Sequence, residues 1–122
     1  YPTSKVHKMA KNVFKAVLAV CLLLILSAIP ASAQSVTAQT CVNMANLFGT
    51  LVQERNEGVP YADQLKELTE AVEPDHPLRA FLFQKLKETR QTKLSPQDFA
   101  EAFAKQCFAV RGDISQLMGK PL

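Results

Sequence analysis

The N-terminal segment of the chain determines which part of it folds as a domain. A basic stretch precedes an apolar run over residues 16–29, and the small residues Ala31 and Ala33 follow it. This order is typical of a secretory signal peptide that is cleaved after Ala33, so that the mature protein begins at Gln34. The apolar run of about 14 residues is shorter than the roughly 20 that a membrane-spanning helix needs.

The signal peptide divides the chain into three parts. Residues 1–8 precede Met9 and are predicted to be an upstream extension outside the fold. Residues 9–33 are predicted to form a cleavable signal-peptide helix, which contacts the membrane only transiently. Residues 34–122 remain as a single domain of 89 residues, for which we expect a periplasmic or secreted location.

Removal of the signal peptide changes the sign of the net charge. The whole chain carries a formal charge of +3, but Lys5, Lys8, Lys11 and Lys15 all precede the cleavage site. The mature part therefore has ten cationic side chains and eleven carboxylates, a net charge of −1. The basic character of the whole chain gives no support for nucleic-acid binding, and none is expected.

Two cysteines remain in the mature domain. Cys21 lies in the apolar run and leaves with the signal peptide, whereas Cys41 and Cys107 are exported to an oxidising compartment. Their wide spacing does not match a redox or metal-binding motif, so a structural disulfide is predicted. A domain of this size has a small core and depends on such covalent links.

The apolar residues of the mature domain recur at helical spacing. The pattern predicts helices over residues 37–56 and 60–72, a third that starts at Asp75-His76-Pro77 and ends near Thr89, and a fourth that starts at Ser95-Pro96 and reaches Cys107. Asp113 is expected to cap a short further turn, and the C-terminal tail after it is expected to fray.

Four helices with short connections predict an all-α, up-and-down four-helix bundle. In this arrangement the start of the first helix and the end of the fourth lie at the same end of the bundle. Cys41 and Cys107 occupy these two places. The predicted disulfide thus staples the first helix to the last.

The sequence contains no recognisable catalytic or metal-binding set. The mature domain has one histidine, His76, at a predicted turn, where a solvated or capping role is usual. Its glycines are isolated, and carboxylates such as Glu54 and Glu57 are expected on solvated faces. We therefore predict that the protein is not an enzyme and holds neither a metal nor another cofactor.

Two groups of residues form a candidate surface for a protein partner. Four cations surround the end of the third helix, where they either meet an acidic partner or simply interact with the helix dipole. Two phenylalanines lie off the main apolar stripes, where they either line a binding surface or complete the core. The candidate surface consists of Phe83, Phe108, Lys85, Lys87, Arg90 and Lys93.

A cleaved leader, about 90 mature residues, an all-helical pattern and two cysteines resemble the HdeA-like acid-stress chaperones of the bacterial periplasm. The resemblance is architectural, and it implies a disulfide between Cys41 and Cys107 and binding of unfolding proteins in acid. The residues themselves favour an exported protein that acts by binding another protein. The alternative is a periplasmic chaperone that acid or stress activates.

Overall fold

The computed structural model describes residues 36–122, which form four α-helices and one short 3-10 turn and contain no β-strand. This confirms the predicted all-α class. The upstream extension over residues 1–8, the signal peptide over residues 9–33 and the cleavage residues Ala31, Ala33 and Gln34 lie outside the described residues. Within residues 36–122, no helix has the length and hydropathy needed to cross a membrane. The elements are α1 (Ala38–Asn56), α2 (Tyr61–Ala71), α3 (Arg79–Gln91), α4 (Pro96–Ala109) and the 3-10 turn (Ile114–Gln116).

Side-chain caps fix the starts of α1 and α4. Thr37 Oγ1 accepts a hydrogen bond from the Thr40 amide at 3.2 Å, which satisfies one of the free N–H groups of the first turn of α1. Ser95 Oγ accepts from the Asp98 amide at 3.1 Å in the same way, and Pro96 occupies the first position of α4. Both starts are the ones that the sequence predicts to within one residue.

The third helix begins later than predicted. Residues 74–78 form turns, and α3 starts only at Arg79. His76 precedes Pro77, and a residue before proline is disfavoured in the α-helical region. The imidazole Nδ1 of His76 accepts a hydrogen bond from the Leu78 amide at 3.1 Å, so the histidine supports the turn.

Two contacts define how the helices are arranged. The disulfide between Cys41 and Cys107 joins the start of α1 to the end of α4, with the two Cα atoms 5.8 Å apart, as predicted. At the opposite end of α1, the guanidinium of Arg55 donates to the carbonyl oxygens of Thr89 at 2.9 Å and Thr92 at 2.5 Å. The helices α1 and α3 therefore end together, while α4 runs antiparallel to α1.

Four phenylalanine rings form the centre of the core. The ring of Phe48 lies edge-on to Phe103, with the ring centroids 4.8 Å apart, and its centroid is 6.3 Å from that of Phe81 and 6.5 Å from that of Phe99. Edge-to-face pairs of this kind add to the stabilisation from apolar burial. All four rings lie on predicted apolar stripes, and all are buried.

The chain that leads into α1 passes directly over the turn that follows α4. The Val36 amide donates a hydrogen bond to the Gly112 carbonyl at 2.8 Å. Gly112 has a φ of +75°, and a Cβ atom there would lie 2.1 Å from the Val36 carbonyl oxygen. Only glycine fits this crossing, which holds the segment before α1 at the disulfide end of the bundle.

Candidate interaction surface

The structure divides the predicted surface into exposed and buried members. Lys87, Lys93 and Phe108 are exposed, and 46 % of Phe108 is accessible to solvent. Lys85 is completely buried, so its placement on a partner surface is wrong. Lys85 follows Phe81 by one helical turn and therefore shares the core-facing side of α3, a position that its charge concealed.

The buried ammonium of Lys85 is compensated by polar and aromatic groups. Its Nζ lies 3.0 Å from Glu88 Oε2 and donates to the Lys120 carbonyl at 3.3 Å. The same atom lies 5.5 Å from the ring centroid of Phe81 and 5.8 Å from that of Phe103. A buried charge is tolerated only with such partners, and these make Lys85 a structural contact between α3, α4 and the tail.

We predict that Lys85→Met lowers the free energy of unfolding by about 2 kcal/mol, because Glu88 and a main-chain carbonyl lose a charged donor. The matched control is Lys105→Met, which breaks the exposed ion pair with Glu101. That change is expected to cost less than about 0.5 kcal/mol. Denaturant unfolding of both variants measures the difference, and equal losses would contradict the structural role of Lys85.

The guanidinium of Arg90 also makes contacts within the protein. Its Nη1 donates to the Val59 carbonyl at 2.7 Å and to Gln64 Oε1 at 3.2 Å. These bonds tie the end of α3 to the connection between α1 and α2. Arg90 is half-buried, and its Nη1 is engaged in this contact, so its part in a partner surface stays a prediction.

Phe83 lies at the boundary between core and solvent. Its ring is half-buried and stacks beneath the guanidinium of Arg79, with 4.7 Å between the guanidinium carbon and the ring centroid. Arg79 is itself held by donation to the Val72 carbonyl at 2.6 Å. Phe83 is thus fixed in orientation while one side of it stays accessible.

Phe83 forms part of an open groove of about 500 Å³ between α3 and the end of the chain, which we call the α3 groove. The exposed Lys87 lies on its edge, whereas Phe108 is not part of its lining. The sequence indicates Phe83 and Lys87 but not the groove itself, because one wall comes from Gly119 and Pro121, which are distant along the chain. The lining residues are Ala80, Phe83, Gln84, Lys87, Glu88, Gln91, Gly119 and Pro121.

One wall of the α3 groove is the tail, residues 119–122, which the sequence predicts to be frayed. The structure differs from this prediction. The Gly119 amide donates to Gln84 Oε1 at 3.0 Å, and Lys85 donates to the carbonyl of Lys120. Two side chains of α3 thus hold the first half of the tail.

The second half of the tail is held in the same manner. Gln106 Nε2, on α4, donates to the Pro121 carbonyl at 3.2 Å. The Leu122 amide donates to Glu88 Oε1 at 2.6 Å. Glycine and proline in the tail predict fraying. The contacts from α3 and α4 instead hold the tail against both helices.

A second polar cluster lies between α1 and α2. Glu54, expected on a solvated face, is buried, and its Oε1 accepts from Gln64 Nε2 at 3.1 Å. The same Nε2 donates to the Leu51 carbonyl at 3.0 Å. Burial raises the pKa of Glu54 above its ordinary value of 4.5, and the Gln64 hydrogen bond opposes this while the charges of Glu67 and Glu57 add to it.

The raised pKa of Glu54 determines in which direction the free energy of unfolding changes with pH. The folded protein binds the proton at Glu54 more tightly than the unfolded chain, so this residue makes the free energy of unfolding rise as the pH falls through the raised pKa towards 4.5. We predict that Glu54→Gln removes this rise. Denaturant unfolding at pH 7.5 and pH 5 checks it, with the exposed Glu70→Gln as control, and an unchanged pH dependence in Glu54→Gln would contradict the assignment.

Across residues 36–122, no three His, Cys, Asp or Glu side chains are grouped so that they could hold a metal ion. Comparison of the chain with protein-family models, with curated proteins and with solved structures found no match. The resemblance to HdeA-like proteins therefore stays a prediction. The case for a function depends on the α3 groove and the contacts that surround it.

Proposed function

We propose that this is an exported helical protein that acts by binding another protein at the α3 groove, without catalysis. The observation that carries the proposal is an open groove of about 500 Å³ that is lined in part by a fixed, half-buried phenylalanine. Aromatic residues that are pre-oriented at the centre of a concave surface are typical anchors of protein interfaces. The disulfide between Cys41 and Cys107 supports export to the periplasm or the cell exterior.

The lining of the groove supports a protein partner more than a small cofactor. Its lining combines the apolar Phe83 and Ala80 with the polar side chains of Gln84, Lys87 and Gln91. An apolar centre with a polar, hydrated rim is the usual composition of a protein interface. The Phe83 ring, which the Arg79 guanidinium holds in place, is a rigid contact that loses little entropy on binding.

Site-specific cross-linking tests the proposal. A photoreactive phenylalanine analogue is introduced at position 83, inside the groove, or at position 108, which is exposed but outside it, in cells that produce the protein. We expect a discrete adduct from position 83 that Lys87→Glu weakens and that position 108 does not form. Identical adducts from both positions, or none from position 83, would overturn the groove as the interface.

A second candidate is an acid-activated chaperone, and one observation favours it. The Glu88 carboxylate holds two partners, with Oε2 near Lys85 Nζ at 3.0 Å and Oε1 accepting from the Leu122 amide at 2.6 Å. The same carboxylate thus balances the charge of Lys85 and holds the tail. The mature chain also becomes strongly positive as its eleven carboxylates protonate, which favours opening.

A pH titration distinguishes the two candidates. Circular dichroism, a hydrophobic dye and the aggregation of a client protein are followed from pH 7 to pH 2. The chaperone proposal expects dye binding and client protection in acid, with Glu88→Gln showing dye binding at a higher pH than the native protein. A native protein that stays closed and inert at every pH excludes the chaperone and leaves the groove proposal standing.

A further inference from the structure

The tail contacts share a chemical property. Each hydrogen bond between the described tail and the helices uses the main chain of the tail. The amides of Gly119 and Leu122 donate, and the carbonyls of Lys120 and Pro121 accept. Pro121 lacks an N–H and contributes only its carbonyl. The helices therefore contact a pattern of donors and acceptors that another peptide of the same backbone conformation presents, with glycine at the position of Gly119, where φ is +76°.

The tail side chains contribute little to this contact. Lys120 and Pro121 are exposed, and Leu122 is 36 % accessible to solvent. A tail whose attachment depended on its own side chains would bury an apolar side chain in the core. The contact instead tolerates other side chains at these positions.

The helices also offer one more group than the tail uses. Gln106 Nε2 donates to Pro121, but Gln106 Oε1 is buried and has no hydrogen-bond partner. Buried acceptors of this kind are rare because an unmade hydrogen bond is unfavourable. An occupant with an N–H group at this point would satisfy Gln106 Oε1.

The tail is attached in a way that permits its release. It is preceded by the exposed Met118, and Gly119 has a φ of +76° with no atom within 4 Å of where a Cβ would be. Three of the four hydrogen bonds that hold the tail are exposed, and these contribute little net stability, since water replaces them. Release of the tail would also remove one wall of the α3 groove, because Gly119 and Pro121 line it.

We propose that Gln84, Lys85, Glu88 and Gln106 form a receptor for the main chain of a short glycine-containing peptide, which the protein's own tail occupies and a segment of a partner protein with the same backbone conformation replaces. This inference rests on the proposed function and states which part of the partner is bound. The bound segment then forms the wall of the α3 groove that Gly119 and Pro121 form in the free protein, so that residues flanking it reach Phe83. Specificity then comes from the groove, while the receptor supplies sequence-tolerant binding.

Peptide binding to the purified mature protein tests the proposal. The fluorescent probe is acetyl-Met-Gly-Lys-Pro-Leu-amide, the sequence of residues 118–122. Three proteins are compared by fluorescence anisotropy: the native chain, a chain without residues 119–122, and Leu122→Pro, which removes the donor to Glu88 but leaves the receptor intact. We expect the truncated chain to bind at least 10-fold more tightly than the native chain, with Leu122→Pro in between.

Two changes to the probe separate main-chain from side-chain recognition. A peptide with alanine in place of lysine and leucine should bind within about 3-fold of the original. Methylation of the glycine and leucine nitrogens, which removes both donors, should weaken binding at least 10-fold. Equal binding of the methylated peptide, or equally weak binding of the original to all three proteins, would overturn the receptor. Circular dichroism verifies that the truncated chain folds. If the truncated chain does not fold, the comparison of Leu122→Pro with the native chain still tests the receptor.

Two further outcomes have distinct meanings. A native dimer that dissociates on deletion of residues 119–122 would overturn the partner assignment in favour of a second copy of this chain. Adducts from position 83 in cells without peptide binding in solution would refute the receptor and leave the proposed function intact. Peptide binding without such adducts would refute the proposed function and leave the receptor standing.

Discussion

Replacing both Cys41 and Cys107 with serine is expected to lower the free energy of unfolding by about 4 kcal/mol. The disulfide closes a loop with a sequence separation of 66 residues, and its loss lets the unfolded chain explore far more conformations. The helical domain described over residues 36–122 is small and has little stability in reserve, so the melting temperature should fall on the order of 20 °C. Thermal and denaturant unfolding monitored by circular dichroism measure both quantities.

The control for this prediction separates the covalent link from packing. Both sulfur atoms lie in the core, since Cys41 and Cys107 are 1 % and 0 % exposed. Serine therefore also buries two hydroxyl groups, whereas the double alanine variant removes the link without adding a polar group. We expect both variants to lose most of the same stability. A loss below about 1 kcal/mol in the alanine variant would mean that helix packing alone holds α1 to α4.

The sequence predicts the helices and the disulfide because both depend on local or simple rules. The Ser95-Pro96 start of α4 combines a capping hydroxyl with a fixed proline φ, and both act within one helical turn. The stripe through Phe99, Phe103 and Cys107 repeats every four residues, so periodicity alone places it towards the core. Two cysteines at matching ends of an up-and-down bundle then have one partner each.

The candidate site is less predictable because its contacts are distant in sequence. The charge of Lys85 predicts a position at the surface. The carbonyl that accepts a hydrogen bond from its buried ammonium belongs to Lys120, 35 residues away. Glu54 was assigned to solvent for the same reason, yet it falls on the stripe that continues from Leu51, and its donor is Gln64 on the next helix. For both residues, the position on the helix face predicts burial better than the charge does.

The tail illustrates a different limit. Glycine and proline at its start and centre predict an irregular segment, and the segment is irregular. Its attachment comes from side chains of α3 and α4 that contact main-chain groups, and such contacts leave no pattern in the tail sequence. Helical periodicity places Gln84 and Gln106 near solvent but does not reveal which carbonyl or amide they meet.

Gly112→Ala is the second change with a large expected effect. Gly112 has a φ of +75°, and a Cβ there would lie 2.1 Å from the Val36 carbonyl oxygen, which belongs to rigid main chain. The left-handed conformation costs alanine about 1 kcal/mol, and the displacement of Val36 adds about 2 kcal/mol because its hydrogen bond to Gly112 breaks. We therefore expect the free energy of unfolding to fall by about 3 kcal/mol in denaturant unfolding.

The chain contains matched controls for the two parts of this effect. Gly58 and Gly119 also have positive φ, +90° and +76°, but a Cβ at either position meets no atom within 4 Å. Gly58→Ala therefore reports the backbone strain alone and should cost about 1 kcal/mol, and Gly119→Ala should cost no more than this. The excess at Gly112 measures how firmly the segment before α1 is held across the turn after α4. If Gly112→Ala costs no more than the two controls, the Val36 segment moves aside freely and does not contribute to the stability of the disulfide end.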